Sequence, residues 1–216
     1  MATPLGITVY SDVICPWCYV GKRRLEAALA ALSPAPELHL HWRPFELNPD
    51  MPSKGMERGA YRARKFGAAR AAELDREMSE IGQQAGVAFA FERMTRTPNT
   101  RLAHRLIWEA DRQGRQDALV ERLFRAYFAE GADIGERTVL EALAADAGLA
   151  TGGVASALAK KDSLVAVVEL EREGQRLGIA GVPFFLIGGR YAVSGAQPAA
   201  FWRDALSRLA PSSARA

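Results

Sequence analysis

The stretch SDVICPWCYVGKRRLE, residues 11–26, contains both cysteines of the chain, Cys15 and Cys18, and the hydrophobic pattern changes on either side of them. Before it, GITVY (residues 6–10) is a β-branched run that predicts a strand. After it, Leu25, Ala28, Leu29 and Leu32 recur at helical spacing, and Ser33-Pro34-Ala35-Pro36 ends that helix. Then Leu38, Leu40 and Trp42 alternate with His39, His41 and Arg43, so residues 38–45 predict a second strand. Strand, cysteine turn, helix and strand form a βαβ unit.

Further along, residues 56–84 are rich in Arg and Ala and predict one long helix. Thr97-Pro98 predicts an N-cap with proline at the first helical position, opening a helix that runs to Arg112. Additional helices are expected over residues 118–130, 136–147, 154–160 and 163–177. Strand sequence returns as PFFLI (183–187), a Gly188-Gly189 turn and residues 190–194. A last helix over 198–209 precedes a polar tail, 211–216, expected to fray. The terminal hairpin needs a sheet to join. The expectation is therefore an α/β domain made of residues 1–48 and 179–216, into which residues 49–178 are inserted as a helical domain.

The chain has 216 residues, of which 49% are hydrophobic and 25% charged, a balance that excludes global disorder. Its net charge is +3, too mild to call for a nucleic-acid partner. The basic run Arg58, Arg62, Arg64, Lys65, Arg70 and Arg76 has Glu57, Glu73, Asp75, Glu77 and Glu80 nearby, and reads as a solvated helix face with ion pairs. No long uncharged apolar run exists, so no membrane span is expected. The opening MATPLGITVYSDVI lacks the features of a secretion signal, and the expected location is cytoplasmic.

Two cysteines at C-x-x-C spacing admit three readings. A redox dithiol needs one thiol at a helix N-terminus, where free N–H groups and the helix dipole favour thiolate. Cys15 fits, with Pro16 at the first helical position and Cys18 one turn on, within reach as a resolving thiol. A zinc site wants four ligands, which only His39, His41 and His104 could help to supply. A pair of inert packed cysteines is the third reading, and Pro16 and Trp17 between them argue against it. Gly181-Val182-Pro183 ahead of the apolar run 184–187 either simply begins a strand or places a proline against the cysteines.

The segments SDVICPWCYVGKRRLE, WRPFELNP (42–49), TPNTRLAHRL (97–106), GVPFF (181–185) and YAVSGAQ (191–197) resemble the DsbA-type thiol–disulfide oxidoreductases, and within them the FrnE-like branch. The resemblance runs from the first strand to the last helix. It implies an α/β thioredoxin-like fold with a large inserted α-helical domain, Cys15 as attacking thiol, Cys18 as resolving thiol and Pro183 in the cis form. It also implies substrate contact at Pro16, Trp17, Val182 and Pro183, with the Val182 backbone free to pair with an extended peptide. No cofactor is implied beyond the Cys15–Cys18 disulfide itself. The substrates implied are disulfide- or dithiol-bearing proteins or small molecules, with glutathione or a thioredoxin-type protein as redox partner. Exported DsbA oxidants carry His where this chain has Trp17, so their strong thiolate stabilisation does not transfer, and the direction of exchange stays open.

The same segments are similar to kappa-class glutathione transferases and 2-hydroxychromene-2-carboxylate isomerases, which use serine at the place of Cys15. That likeness suggests Asn99, Val182 and Ser194 as glutathione contacts, and the second cysteine weighs against it. A non-catalytic module that holds a peptide or an aromatic ring near Trp17, Phe184 and Phe185 is the remaining alternative. Asp12 and Glu46 are candidate acceptors for the Cys18 proton, whereas His104, among Leu102, Leu106 and Ile107, reads as structural.

Overall fold

A computed structural model describes residues 4–209, so the expected frayed tail lies outside the described residues. Strand β1 (Leu5–Ser11) leads through the cysteine turn into α1 (Pro16–Ala30) and β2 (Leu38–Pro44). The helical middle follows and ends in α8 (Lys161–Arg176), and the chain closes with β5 (Phe184–Ile187), β6 (Tyr191–Ser194) and α9 (Ala199–Leu209). The four strands lie in the order β2-β1-β5-β6. β1 and β2 are parallel, as a helical crossover requires, while β5 and β6 form an antiparallel hairpin beside β1. The βαβ unit and the terminal hairpin thus share one sheet.

Each face of that sheet is covered. Val9 of β1 pairs with Phe185 of β5, whose ring lies 4.7 Å from Trp202 of α9, and α9 packs on α1. On the opposite face Tyr10 meets Gly174 of α8, where an added Cβ would come within 2.9 Å of the ring. The glycine therefore sets how closely α8 approaches β1.

Residues 56–84 do not form one helix. They divide into β3 (Met56–Glu57), α2 (Arg58–Phe66) and α3 (Ala68–Gln84). Met56 and Glu57 pair with Thr97 and Arg96 of β4 (Arg96–Thr97), and Glu57 caps α2 by accepting from the N–H groups of Gly59 and Ala60. Gly67, at φ 82°, separates the two helices in a conformation open chiefly to glycine. The pairing with β3 also claims Thr97, so Thr97-Pro98 does not open the next helix. That helix, α4, spans Arg101–Arg112, with Asn99 Oδ1 accepting from the Arg101 N–H at 3.0 Å.

The helical layer continues through α5 (Gln116–Phe128), α6 (Arg137–Asp146) and α7 (Thr151–Ala159). Two ties hold it to the sheet. Tyr19 of α1 stacks on Phe124 of α5 at 4.9 Å, beside a buried Lys22 that meets Glu26, Asp117 and Glu121. On the outer side of β2, the Gln116 side chain accepts from the Trp42 N–H at 2.8 Å and donates to the Trp42 carbonyl at 3.0 Å. Its amide takes the place of a neighbouring strand at that residue.

Candidate active site

Proline suits the first turn of a helix, because its φ is already helical and the N–H it lacks would find no partner there. With Pro16 starting α1, Cys15 becomes the N-cap in extended conformation (φ −88°, ψ 111°), its carbonyl accepting from the N–H groups of Cys18 and Tyr19. Both cysteines are free thiols, 4% and 1% exposed. The Cys15 thiol donates to the Val182 carbonyl at 3.7 Å, across a gap of 167 residues in sequence. The Val182–Pro183 peptide is cis. Gly21, one turn after Cys18, admits this loop, since a Cβ there would stand 3.1 Å from Pro183 Cγ. Burial pushes the Cys18 thiol well above the ordinary thiol range. The adjoining Cys15 adds to the rise, and the Ser11 hydroxyl and Asp12 backbone oppose it.

Behind the cysteine turn lies a buried set of charges. Asp12 accepts from the Leu47 N–H at 2.8 Å and stands 3.6 Å from Nε2 of His104. Glu46 forms a bidentate pair with Arg101, which also approaches Glu171 at 3.9 Å. Burial, then Glu46, raises the Glu171 carboxyl above its usual range, with His104 and Arg101 opposing. The two acids singled out in the sequence, Asp12 and Glu46, are thus neighbours in one network. His104 belongs to it through Asp12, a contact that helical periodicity alone does not reveal.

In front of the turn, a cavity of about 390 Å³ opens at Cys15. Pro16, Trp17 and Val182 line its mouth, and Leu74, Met78, Phe91, Met94 and Phe128 make much of its wall. Trp17 is 41% exposed and free to contact a substrate. The remaining wall is α2, which contributes Arg58, Tyr61, Arg62 and Lys65. The sequence reading of this basic run as a solvated, ion-paired face holds for Arg70, which pairs with Glu73 and Glu77. The ion pairing holds also for Arg58 and Arg62, which share Asp75, but Arg58, Arg62 and Lys65 line the cavity, and their spacing of four and then three residues puts them on one helix face.

The structure brings Cys15, Cys18, Pro16, Trp17, Val182 and Pro183 together, and neither Asn99 nor Ser194 lines the cavity. Asn99 spends its side chain on the backbone, donating to the Met51 carbonyl at 2.8 Å and accepting from the Arg101 N–H at 3.0 Å. Ser194 ends β6, opposite Phe184. Phe184 packs on Tyr10 and Phe185 on Trp202, so these rings serve the sheet and do not line the cavity. His39 and His41 are exposed on β2, and among the described residues no group of three or more His, Cys, Asp or Glu side chains is placed to hold a metal ion. Nor is any helix there long and apolar enough to cross a membrane.

Three known proteins are similar to this chain, two of them in solved structure and one in sequence. A probable DsbA oxidoreductase from Streptomyces coelicolor is 33% identical, with a TM-score of 0.84 over 94% of this chain and 89% of its own. The cytosolic disulfide reductase DsbM from Pseudomonas aeruginosa, whose structure contains glutathione, is 25% identical, with a TM-score of 0.65 over 94% and 98% of the two chains. YwbO of Bacillus subtilis is 28% identical over 183 residues, covering 84% of this chain and 86% of YwbO. Residues 6–207 match the DSBA-like thioredoxin domain, and with its thioredoxin-type sheet and helical insertion the chain belongs to that family of oxidoreductases.

Proposed function

We propose that this protein is a cytoplasmic thiol–disulfide oxidoreductase that works through the Cys15-Pro16-Trp17-Cys18 turn. The observation that carries the reading is the placement of Cys15. It caps the N-terminus of α1, touches Val182 and opens on a cavity, while Cys18 is held one turn deeper. At that position Cys15 makes no side-chain cap hydrogen bond, so its sulfur is not tied to the helix it starts. Cys15 attacks one sulfur of a substrate disulfide and expels the other as thiolate. Cys18 then passes its proton to the expelled thiolate and attacks the Cys15 sulfur, which releases the second substrate thiolate and leaves the Cys15–Cys18 disulfide. Two electrons pass from the dithiol to the substrate, and the reverse sequence oxidises a dithiol.

Cys18 acts second in this scheme for a physical reason: burial holds it as a thiol until its neighbour has reacted. Substrates would dock over Pro16, Trp17, Val182 and Pro183. The presence of glutathione in the DsbM structure supports glutathione as a redox partner, and DsbM's cytosolic setting supports the same compartment. Reduction of insulin by the dithiothreitol-recycled protein tests the reading. Wild type is expected to accelerate it, Cys15→Ser to abolish the acceleration, and Cys18→Ser to accumulate a mixed disulfide at Cys15 visible by mass. Equal turnover by Cys15→Ser would overturn the scheme.

A further inference from the structure

The cavity in front of Cys15 has a composition that disulfide exchange alone does not require. Its volume, about 390 Å³, suits a small molecule and not a stretch of folded chain. A peptide lying across Trp17 and Val182 would leave its depth unused. Leu74, Met78, Phe91 and Phe128 offer an apolar wall to whatever enters.

Against that wall stands one face of α2 with three cations, Arg58, Arg62 and Lys65. Asp75 is the one carboxylate that answers the two arginines among the described residues, with Arg58 and Arg62 each 2.8 Å away, and Arg62 also donates to the Ala71 carbonyl at 2.9 Å. Lys65 has only neutral partners among the described residues, Tyr61 Oη at 2.8 Å and Asn48 Oδ1 at 3.3 Å. Arg62 Nε is buried and has no acceptor at all. The wall therefore carries more positive charge than Asp75 neutralises, and a buried donor there is left without a partner. Such a donor in a partly desolvated setting is best satisfied by an anion.

We propose that this cavity binds a small disulfide with an apolar, ring-sized body and a carboxylate, the body packed on Phe91 and Met78, the carboxylate on Arg62 and Lys65, and a sulfur at Cys15. The proposal rests on the exchange chemistry above and names the class of substrate that the same site prefers. Glutathione disulfide is a weaker match, because its polar body and ammonium groups gain little from Leu74, Met78 and Phe91. The reaction follows the same balance. The Cys15 thiolate displaces one aryl thiolate, the Cys18 thiolate displaces the other, and the reduced protein supplies both electrons.

Rapid mixing of reduced protein with two aromatic disulfides tests the preference. Dithiobis(nitrobenzoate) carries a carboxylate on each ring, and dithiodipyridine is neutral at the same pH. The readout is the ratio of their second-order rate constants, which removes intrinsic differences in reactivity between enzyme forms. Arg62→Gln, and separately Lys65→Gln at an exposed position that folding tolerates, are each expected to lower the ratio about tenfold, the loss of one charge-assisted contact. Rising salt is expected to lower the wild-type ratio in the same direction. A ratio unmoved by both substitutions and by salt overturns the proposal and leaves disulfide exchange intact. Failure to react with either reagent, or equal reaction of Cys15→Ser, overturns the exchange chemistry itself.

Discussion

His104 of α4 stands 3.6 Å from Asp12 at the end of β1, Nε2 to Oδ1, with side chains 2% and 0% exposed. Burial alone pulls the imidazole pKa down, but the facing Asp12, with Glu46 and Glu171 behind it, outweighs burial and raises it above its usual value. Arg101 is the other charged group in this cluster. A group whose pKa rises on folding stabilises the protein fully below its unfolded value, about 6.5 for histidine, and loses that contribution as pH climbs through the folded value. Replacing His104 with Asn is therefore expected to destabilise the protein most in mildly acidic buffer and less as pH rises. Urea denaturation across a pH series measures it, and a constant difference at every pH would show that the imidazole's charge plays no part.

The two thiols should separate in alkylation. Burial and the neighbouring sulfur keep Cys18 protonated at neutral pH, and Cys15 lies at the cavity mouth. Limited iodoacetamide at neutral pH is expected to label Cys15 first, with Cys18 following only in strongly alkaline buffer or after unfolding. Peptide mapping by mass reads the order. Prior labelling of Cys18 would reverse the assignment of attacking and resolving thiols.

Lys22 joins α1 to α5. Its side chain is 2% exposed, and its ammonium bonds Glu26 and lies 3.4 Å from Asp117 and 3.3 Å from Glu121. Burial alone would lower its pKa, and the three acids reverse the sign. Lys22→Met keeps the aliphatic stem and strands the acids. Fully buried pairs broken from one side cost about 3–5 kcal/mol, but these partners reach solvent, so about 1–2 kcal/mol is expected by chemical denaturation. A value near zero would mean that Arg23, which also pairs with Glu26 and Glu121, takes over.

The ends of the chain are the most legible in sequence, because the apolar alternation and helical spacing that flank Cys15 and Cys18 are local properties, whereas the place of Pro183 against them follows from the family resemblance. The hairpin at Gly188-Gly189 and the turn at Pro16 likewise depend on backbone chemistry that single residues report. The middle is less so. Arg58 to Gln84 has helical composition throughout, and only the distant pairing of Met56 with Thr97 and the φ of Gly67 divide it. His104 and Asp12 are brought together by tertiary packing, as are Arg62 and Asp75, and no spacing along the chain encodes either contact. The cavity is visible only after α2 and α3 fold over the cysteine turn.

Gln116 bonds both main-chain groups of Trp42 and also donates to the Ile107 carbonyl at 3.3 Å. Gln116→Leu, of similar size, leaves the two Trp42 main-chain groups unmatched, while the Ile107 carbonyl keeps its place in the α4 ladder, and is expected to cost about 2–4 kcal/mol, since each orphaned group carries about 1–3 kcal/mol of desolvation. Thermal or urea melts give the number, and a loss below about 1 kcal/mol would mean that water reaches the strand.

That side chain also makes the helical insertion inseparable from the sheet. A trimmed chain that joined β2 directly to β5 would expose a raw strand edge at Trp42, and two such edges would pair with each other. Shortening this protein toward a minimal redox module would therefore give a dimer or an aggregate, unless a charged or proline residue were placed on β2 to blunt it.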